Sequence, residues 1–235
     1  MKSFFIPLLL LTGIAAVAQD SAVHHLKGVF FPYPMDRSAK FAVGFTTTTM
    51  PYDVTEEIHY RVPALDFRLL KRISPKLALN FHAGVQVFQN LFTLGPRWST
   101  ILGERYSIAI GNDVGYWFGN LNLESIKTRG HGFQNVPNFA IGRRFKRRVL
   151  LTFRADAQMN FGIRTYAKST ELTTEHPLFS GSSYTLVLEQ PFYGKKVLSV
   201  GLRGIYTNFF WQTWTLFETF DRNLFYPQVI VSLNL

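Results

Sequence analysis

Between Val149 and Ile163 the chain reads VLLTFRADAQMNFGI, and every second residue is apolar. The odd positions are Val149, Leu151, Phe153, Ala155, Ala157, Met159, Phe161 and Ile163. The even positions are polar or small, apart from Leu150. Successive side chains of a strand point to opposite faces, so this stretch makes one long strand with an apolar and a polar side. Wound as a helix, the same residues would scatter around the axis. Strands of soluble sheets average about 5–6 residues. This one is longer, and it covers the ~9–11 residues that a tilted strand needs to cross a bilayer.

The pattern recurs from Lys40 onward. Lys40–Thr48 reads as a strand, and Tyr60–Lys71 sets Leu65, Phe67 and Leu69 against Ala64, Asp66 and Arg68. After a turn at Ile73–Lys76, Leu77–Phe88 alternates Leu77, Leu79, Phe81, Ala83, Val85 and Val87 with Ala78, Asn80, His82, Gly84 and Gln86. Gln89–Leu91 reads as a short link. Phe92–Leu102 and Tyr106–Phe118 follow, joined by a turn at Gly103–Arg105. Gly119–Gln134 reads as a polar loop, Asn135–Arg143 as a weaker strand carrying Pro137, and Arg144–Arg148 as a basic turn. Beyond the long strand, Arg164–Gly181 reads as a second polar loop. Ser182–Phe192 and Val197–Asn208 form a hairpin, Phe209–Asn223 is an aromatic link, and Leu224–Leu235 is the final strand.

The architecture these elements imply is all-β: an antiparallel up-and-down transmembrane β-barrel of about ten strands, with eight or twelve also compatible. The two ambiguous stretches are Asn135–Arg143 and 209–223. Short turns and long connections mostly alternate. At the short-turn side lie Tyr106, Phe145, Phe192 and Tyr193. At the other rim lie Phe88, Phe92, Tyr116, Trp117, Phe118, Tyr166, Tyr206, Phe209, Phe210 and Trp211. Two aromatic girdles suit a barrel in a bilayer. A secreted soluble sandwich or lipocalin-like barrel would also alternate, but would not need strands this long and would keep its aromatics in a core.

Met1–Gln19 reads as a signal peptide: Lys2, an apolar core at Phe4–Leu11, and the small-x-small site Ala16-Val17-Ala18. Residues 20–39 read as an irregular periplasmic arm, because Pro32 and Pro34 resist ladder pairing. Residues 40–235 are the barrel. Beyond the N-terminal segment no run of ~18 apolar residues supplies a spanning helix. The chain has no cysteine, which excludes disulfides and thiolate chemistry.

These features together, from the signal peptide and long alternating strands to the basic short turns and amphipathic last strand, resemble the small outer-membrane β-barrel proteins of Gram-negative bacteria. The resemblance covers about Lys40 to Leu235 and selects no subfamily. Such barrels commonly end in an aromatic residue, whereas this chain ends in Leu235. The resemblance implies delivery through the inner membrane, insertion by the barrel-assembly machinery and residence in the outer membrane, with membrane lipids as partners.

With the apolar face toward lipid, the other face lines a lumen. That face carries Asp66, Arg68, Arg97, Asp113, Arg154, Asp156, Glu189 and Arg203, four acids and four arginines. Guanidinium forks suit bidentate pairing with carboxylates. A narrow barrel crossed by such pairs is filled by side chains. The bland reading is a polar core that holds the barrel's shape; the sharper one is a selective constriction. His82 faces the same lumen and reads as a satisfied histidine rather than a general base. His24, His25, His59, His131 and His176 fall in the arm or loops without metal-ligand spacing.

The formal charge of +10 concentrates in the short turns: Lys71, Arg72, Lys76, Arg105, Arg143, Arg144, Lys146, Arg147, Arg148, Lys195 and Lys196. Anchoring to lipid phosphates is the plain reading. Docking to an acidic periplasmic partner is the alternative. No phosphate loop, dinucleotide fingerprint, nucleophile elbow or calcium loop is present, so neither a cofactor nor a nucleic acid is implied. The functional expectation is a non-enzymatic barrel with a structural, surface-binding or narrow transport role, its loops 49–59, 119–134, 165–181 and 209–223 facing outside. The aromatic last loop is the expected contact point for a ligand or surface. A lipid A or phospholipid hydrolase and a docking component of an envelope or secretion assembly are the alternatives.

Overall fold

The structure is a computed structural model that describes residues 28–55, 60–122, 127–145, 149–172, 177–194, 196–216 and 221–235. The signal-peptide reading, His24, His25, His59 and His176 fall outside these residues.

The strands, in chain order, are β1 (Ala39–Thr49), β2 (Arg61–Arg72), β3 (Leu77–Val85), β4 (Gln89–Leu102), β5 (Tyr106–Asn122), β6 (Lys127–Arg144), β7 (Leu150–Ala167), β8 (Thr170–Leu172), β9 (Phe179–Pro191), β10 (Val197–Thr207) and β11 (Leu224–Asn234). All pairings are antiparallel. Ten strands form a closed ring in which β1 pairs with β11, β6 pairs with β7, and β7 pairs with β9. Three-residue β8 is an addition that pairs with the far end of β7. Closure leaves the ring without a free edge, which is how a sheet satisfies its backbone in an apolar medium. No helix among the described residues is long and apolar enough to cross a membrane.

The strands tilt. Following partners from Thr48 near one end of β1, the path runs Gln228, Arg203, Thr185, Arg154, Ala140, Ala109 and Ser99, which lies near the opposite end of β4. Such a stagger is required to close a sheet into a barrel. Prolines interrupt the ladders locally. Paired residues skip Gly95 and Pro96 between β4 and β5, and Val136 and Pro137 between β6 and β7. Proline has no N–H to donate.

Alternation decides the two faces. On the outer face Phe45, Leu65, Leu94, Ile110, Val114, Phe153, Leu186, Leu202 and Val229 are all exposed. Leu202 is 64% exposed and Ile110 54%, values a soluble core would not leave on such residues. Asn112, midway along β5, is a polar exception on this face. On the inner face Asp66, Asp113, Asp156 and Glu189 are buried.

Three expectations are corrected. Stretch 119–134 is not a loop: β5 runs to Asn122, β6 begins at Lys127, and Asn135–Arg143 belongs to an 18-residue strand. Gly119 and Gly130 pair across the ladder, and both lie under the Trp214 indole; a Cβ on Gly119 would sit 2.3 Å from that ring. Stretch 164–181 is mostly β-structure as well, in the end of β7, β8 and the start of β9. Gln89–Leu91 opens β4 rather than linking to it.

The aromatic link folds back. Phe209, Phe210 and Trp214 are buried, and Trp211–Leu216 forms a 3-10 helix across the mouth. Leu91, Trp117, Phe209 and Trp214 cluster there, with Ile163 packed against them. Trp117 is therefore inside, as its odd position on β5 requires, and is not a rim residue. Phe88, Phe92, Tyr116, Phe118 and Tyr206 remain on the outer surface.

Candidate functional site

The lumen has a base, a charged middle and a lid. The base is the arm, which enters the barrel. Val29 and Phe31 are buried, and Val29, Met35, Ala42, Leu70 and Ala78 form one cluster. The barrel holds the arm through its backbone. Phe30 N and Phe31 N donate to the Glu189 carboxylate at 3.2 and 2.8 Å. Arg97 donates to Val29 O at 3.0 Å and to Phe30 O at 2.9 Å. Val29 N donates to Asn234 Oδ1 at 3.3 Å, and Lys40 Nζ to Gly28 O at 3.4 Å. Ser199 adds a hydroxyl to Glu189 at 3.1 Å. The Arg68 guanidinium lies 4.5 Å from the Phe30 ring centroid, a cation–π distance.

The middle is built from i, i+2 pairs, which share a face of a strand. On β2, Arg68 Nε donates to Asp66 Oδ1 at 2.8 Å, and His82 Nε2 lies 2.7 Å from Asp66 Oδ2. On β7, Arg154 Nε donates to Asp156 Oδ1 at 2.5 Å. Arg154 also reaches across to Asp113 Oδ2 of β5 at 3.0 Å. Asn80 and Asn138 donate to the two oxygens of Asp113 at 2.9 and 3.2 Å. Ser183 donates to Asp156 Oδ2 at 2.8 Å and accepts from Arg203 at 2.8 and 3.1 Å; Arg203 lies 3.5 Å from Asp156.

All eight lumen residues named from the sequence thus lie on the inner face. Six of them join in two clusters, Asp66–Arg68 with His82 and Asp113–Arg154–Asp156–Arg203. Arg97 and Glu189 instead take backbone partners on the arm. Lys40 and Asn138 join these eight in the lumen, and Lys40 shares its face with Ala42, Thr46 and Thr48. His82 has a carboxylate partner, and no serine hydroxyl is bonded to it among the described residues.

Between base and lid remains a cavity of about 80 Å³, bordered by Arg68, Asn80, His82, Arg97, Arg154, Arg203 and Trp211 among others. At roughly 10–15 Å³ of such space per water, that is room for a handful of waters. Three or more His, Asp or Glu side chains poised for a metal are absent among the described residues.

Of the basic turn residues, Lys71, Arg72, Lys76, Arg143, Arg144 and Lys196 are exposed. Arg143 lies over the rings of Tyr106 and Phe145, at 5.6 and 4.8 Å. Arg72 donates to Asp36 O at 2.9 Å and Arg144 to Glu104 O at 2.8 Å. Lys146, Arg147, Arg148 and Lys195 lie outside the described residues. His131, expected in a loop, stands on β6 between the rings of Tyr116 and Tyr166.

No family model and no curated protein matches the chain. Among solved structures it is similar to Neisserial surface protein A, at 4% identity and a TM-score of 0.28, over 85% of this chain and 97% of that one. It is also similar to the translocator domain of the autotransporter NalP from Neisseria meningitidis (9%, 0.40, over 85% and 88%). A third is Ail, the attachment invasion locus protein of Yersinia pestis (9%, 0.24, over 84% and 97%).

Proposed function

We propose that this chain is a non-enzymatic outer-membrane barrel whose lumen is stoppered, so that its work is done by its outer surface and rims. The observation that carries this reading is the double closure. The arm is gripped by Glu189 and Arg97 at one end, and Phe209, Phe210 and Trp214 are buried at the other. Ion-paired side chains occupy the space between. The outward apolar face suits lipid, and in the cell the barrel-assembly machinery would insert such a ring. The leader at Met1–Gln19 and the basic short turns fit secretion and a periplasmic-side interface. A structural or surface-binding role needs no lumen, whereas transport would require the arm to leave.

A lipid hydrolase is the less favoured reading. His82 is committed to Asp66 inside the lumen, and among the described residues it has no hydroxyl partner of the kind a nucleophilic mechanism needs.

The test is conductance in a planar bilayer. The full mature chain should be silent while keeping heat-modifiable mobility on a gel. A chain lacking residues 28–38 should show discrete steps. Steady open-channel current from the intact barrel would replace this reading with transport.

A further inference from the structure

Alternation on β7 breaks once. From Leu150 to Asn160 the even residues face inward, yet beyond Phe161 the buried residue is Thr165 and the exposed one Arg164. The register between β6 and β7 shifts between His131 and Phe133, opposite Gly162, whose φ is +60°. A bulge of this kind re-aims the side chains that follow it, and glycine takes the left-handed conformation without penalty. The consequence is specific. Ile163 turns in to pack with Trp117 and Trp214, and Arg164 turns out. Without the bulge, an arginine would face the lumen and an isoleucine the membrane.

Arg164 emerges at a defined depth. Directly below it on the outer face is the girdle, with Phe133 stacked on Phe161 at 5.7 Å and Tyr116 beside Phe133 at 5.1 Å. Arg164 pairs across the ladder with His131, and the next row is Arg129 opposite Tyr166. The Arg129 guanidinium lies 4.5 Å from the Tyr166 ring centroid, which fixes its plane and leaves its N–H edges to donate. One row higher, Lys168 N donates to Lys127 O at 2.7 Å, which brings the two lysines together. Lys127, Arg129, Arg164 and Lys168 are exposed. The ion pairs among the described residues give this group one acid, Glu171, at 3.9 Å from Arg164 and itself half exposed.

Aromatic girdles mark the edge of the hydrocarbon. Cations held one to three rows beyond it stand where lipid phosphates lie. We propose that this outward patch, Arg129, His131 and Arg164 with Lys127 and Lys168, is a binding site for a phosphate-bearing lipid headgroup in the leaflet at the barrel's long-loop end. The site rests on the reading of the chain as a membrane-spanning barrel. Arg164 and Arg129 supply paired N–H donors to phosphate oxygens, and the girdle below packs the acyl chains.

The test is lipid retention. The full mature chain is refolded into phosphatidylcholine vesicles that contain either bis-phosphorylated or dephosphorylated lipid A. It is then extracted in mild detergent, and bound lipid is quantified by mass spectrometry. The wild type should retain the phosphorylated form selectively. Arg129→Ala with Arg164→Ala should fold with the same heat-modifiable mobility and lose roughly tenfold of that retention. Arg129→Lys with Arg164→Lys should keep most of it, and Lys71→Ala with Lys76→Ala, at the other rim, should leave it unchanged. Equal retention of the two lipids, or by the folded double alanine variant, overturns the site. Displacement by inorganic phosphate at the same concentration would mean a free-anion site and overturn it too. A wild type that forms no barrel in vesicles refutes the membrane reading itself.

Discussion

Arg154 holds two carboxylates at once, Asp156 at 2.5 Å on its own strand and Asp113 at 3.0 Å on β5. Both acids are buried, at 4% exposure each. Removing the cation takes from Asp113 its ion-pair partner and leaves Asp156 with Arg203 at 3.5 Å, and losing one partner of a buried pair costs about 3–5 kcal/mol. Arg154→Ala should therefore unfold at lower denaturant by an amount of that order, while exposed Lys76→Ala should stay within about 0.5 kcal/mol of wild type. Urea titration of the refolded barrel in vesicles, read by gel mobility, checks both; equal midpoints would mean that the pairing does not hold the barrel. Glu189 is a different case, because besides the Ser199 hydroxyl its hydrogen-bond partners are two amides of the arm. Glu189→Ala should leave the ring of strands intact and loosen the arm by about 1.5–3 kcal/mol, the worth of hydrogen bonds to a charged group. Limited proteolysis should then cut within residues 28–38 faster than in wild type. An unchanged cleavage rate would show that apolar contacts alone hold the arm.

At the scale of elements, alternation made most of the barrel legible. The inward set Asp66, Arg68, Asp113, Arg154 and Asp156 follows from parity alone, because successive side chains of a strand alternate between its two faces. Trp117, an odd residue of β5, faces inward by the same parity, although its aromatic character suggests a rim. The glycines of 119–134 looked like loop formers, yet at Gly119, Gly130 and Gly132 the missing Cβ makes room for Trp214 and Trp117. That reason lies in a distant segment and has no local signature. Gly162 did carry a local signal, since an isolated glycine in a strand pattern suggests a bulge. The arm's insertion had none, because Glu189 and Arg97 bind N–H and C=O groups that any sequence offers. One consequence for the lid follows. Gly119→Val should push the Trp214 indole out of the mouth, and tryptophan emission should shift to the red and become quenchable by iodide. Emission unchanged from wild type would mean that the lid tolerates the side chain.

For the molecule as a whole, the central claim is that one face of each barrel strand meets lipid and the other a closed, polar lumen. The strand lengths agree with it. At about 3.4 Å per residue and a tilt near 40°, the 17 residues of β5 rise roughly 44 Å, more than a hydrocarbon band of ~25 Å. The aromatics Tyr106 and Phe118 fall on opposite sides of that band, and β5 and β6 continue past it into the basic rows. The chain has no cysteine of its own, so single cysteines report without background. The most direct measurement is a bimane-labelled cysteine scan along β9, through Tyr184, Thr185, Leu186, Val187 and Leu188, in vesicles that carry nitroxide-labelled lipid. Quenching should alternate, strong at Tyr184, Leu186 and Leu188 and weak at Thr185 and Val187. Quenching without that period, or outward positions that respond to aqueous iodide and not to the lipid nitroxide, would contradict the account.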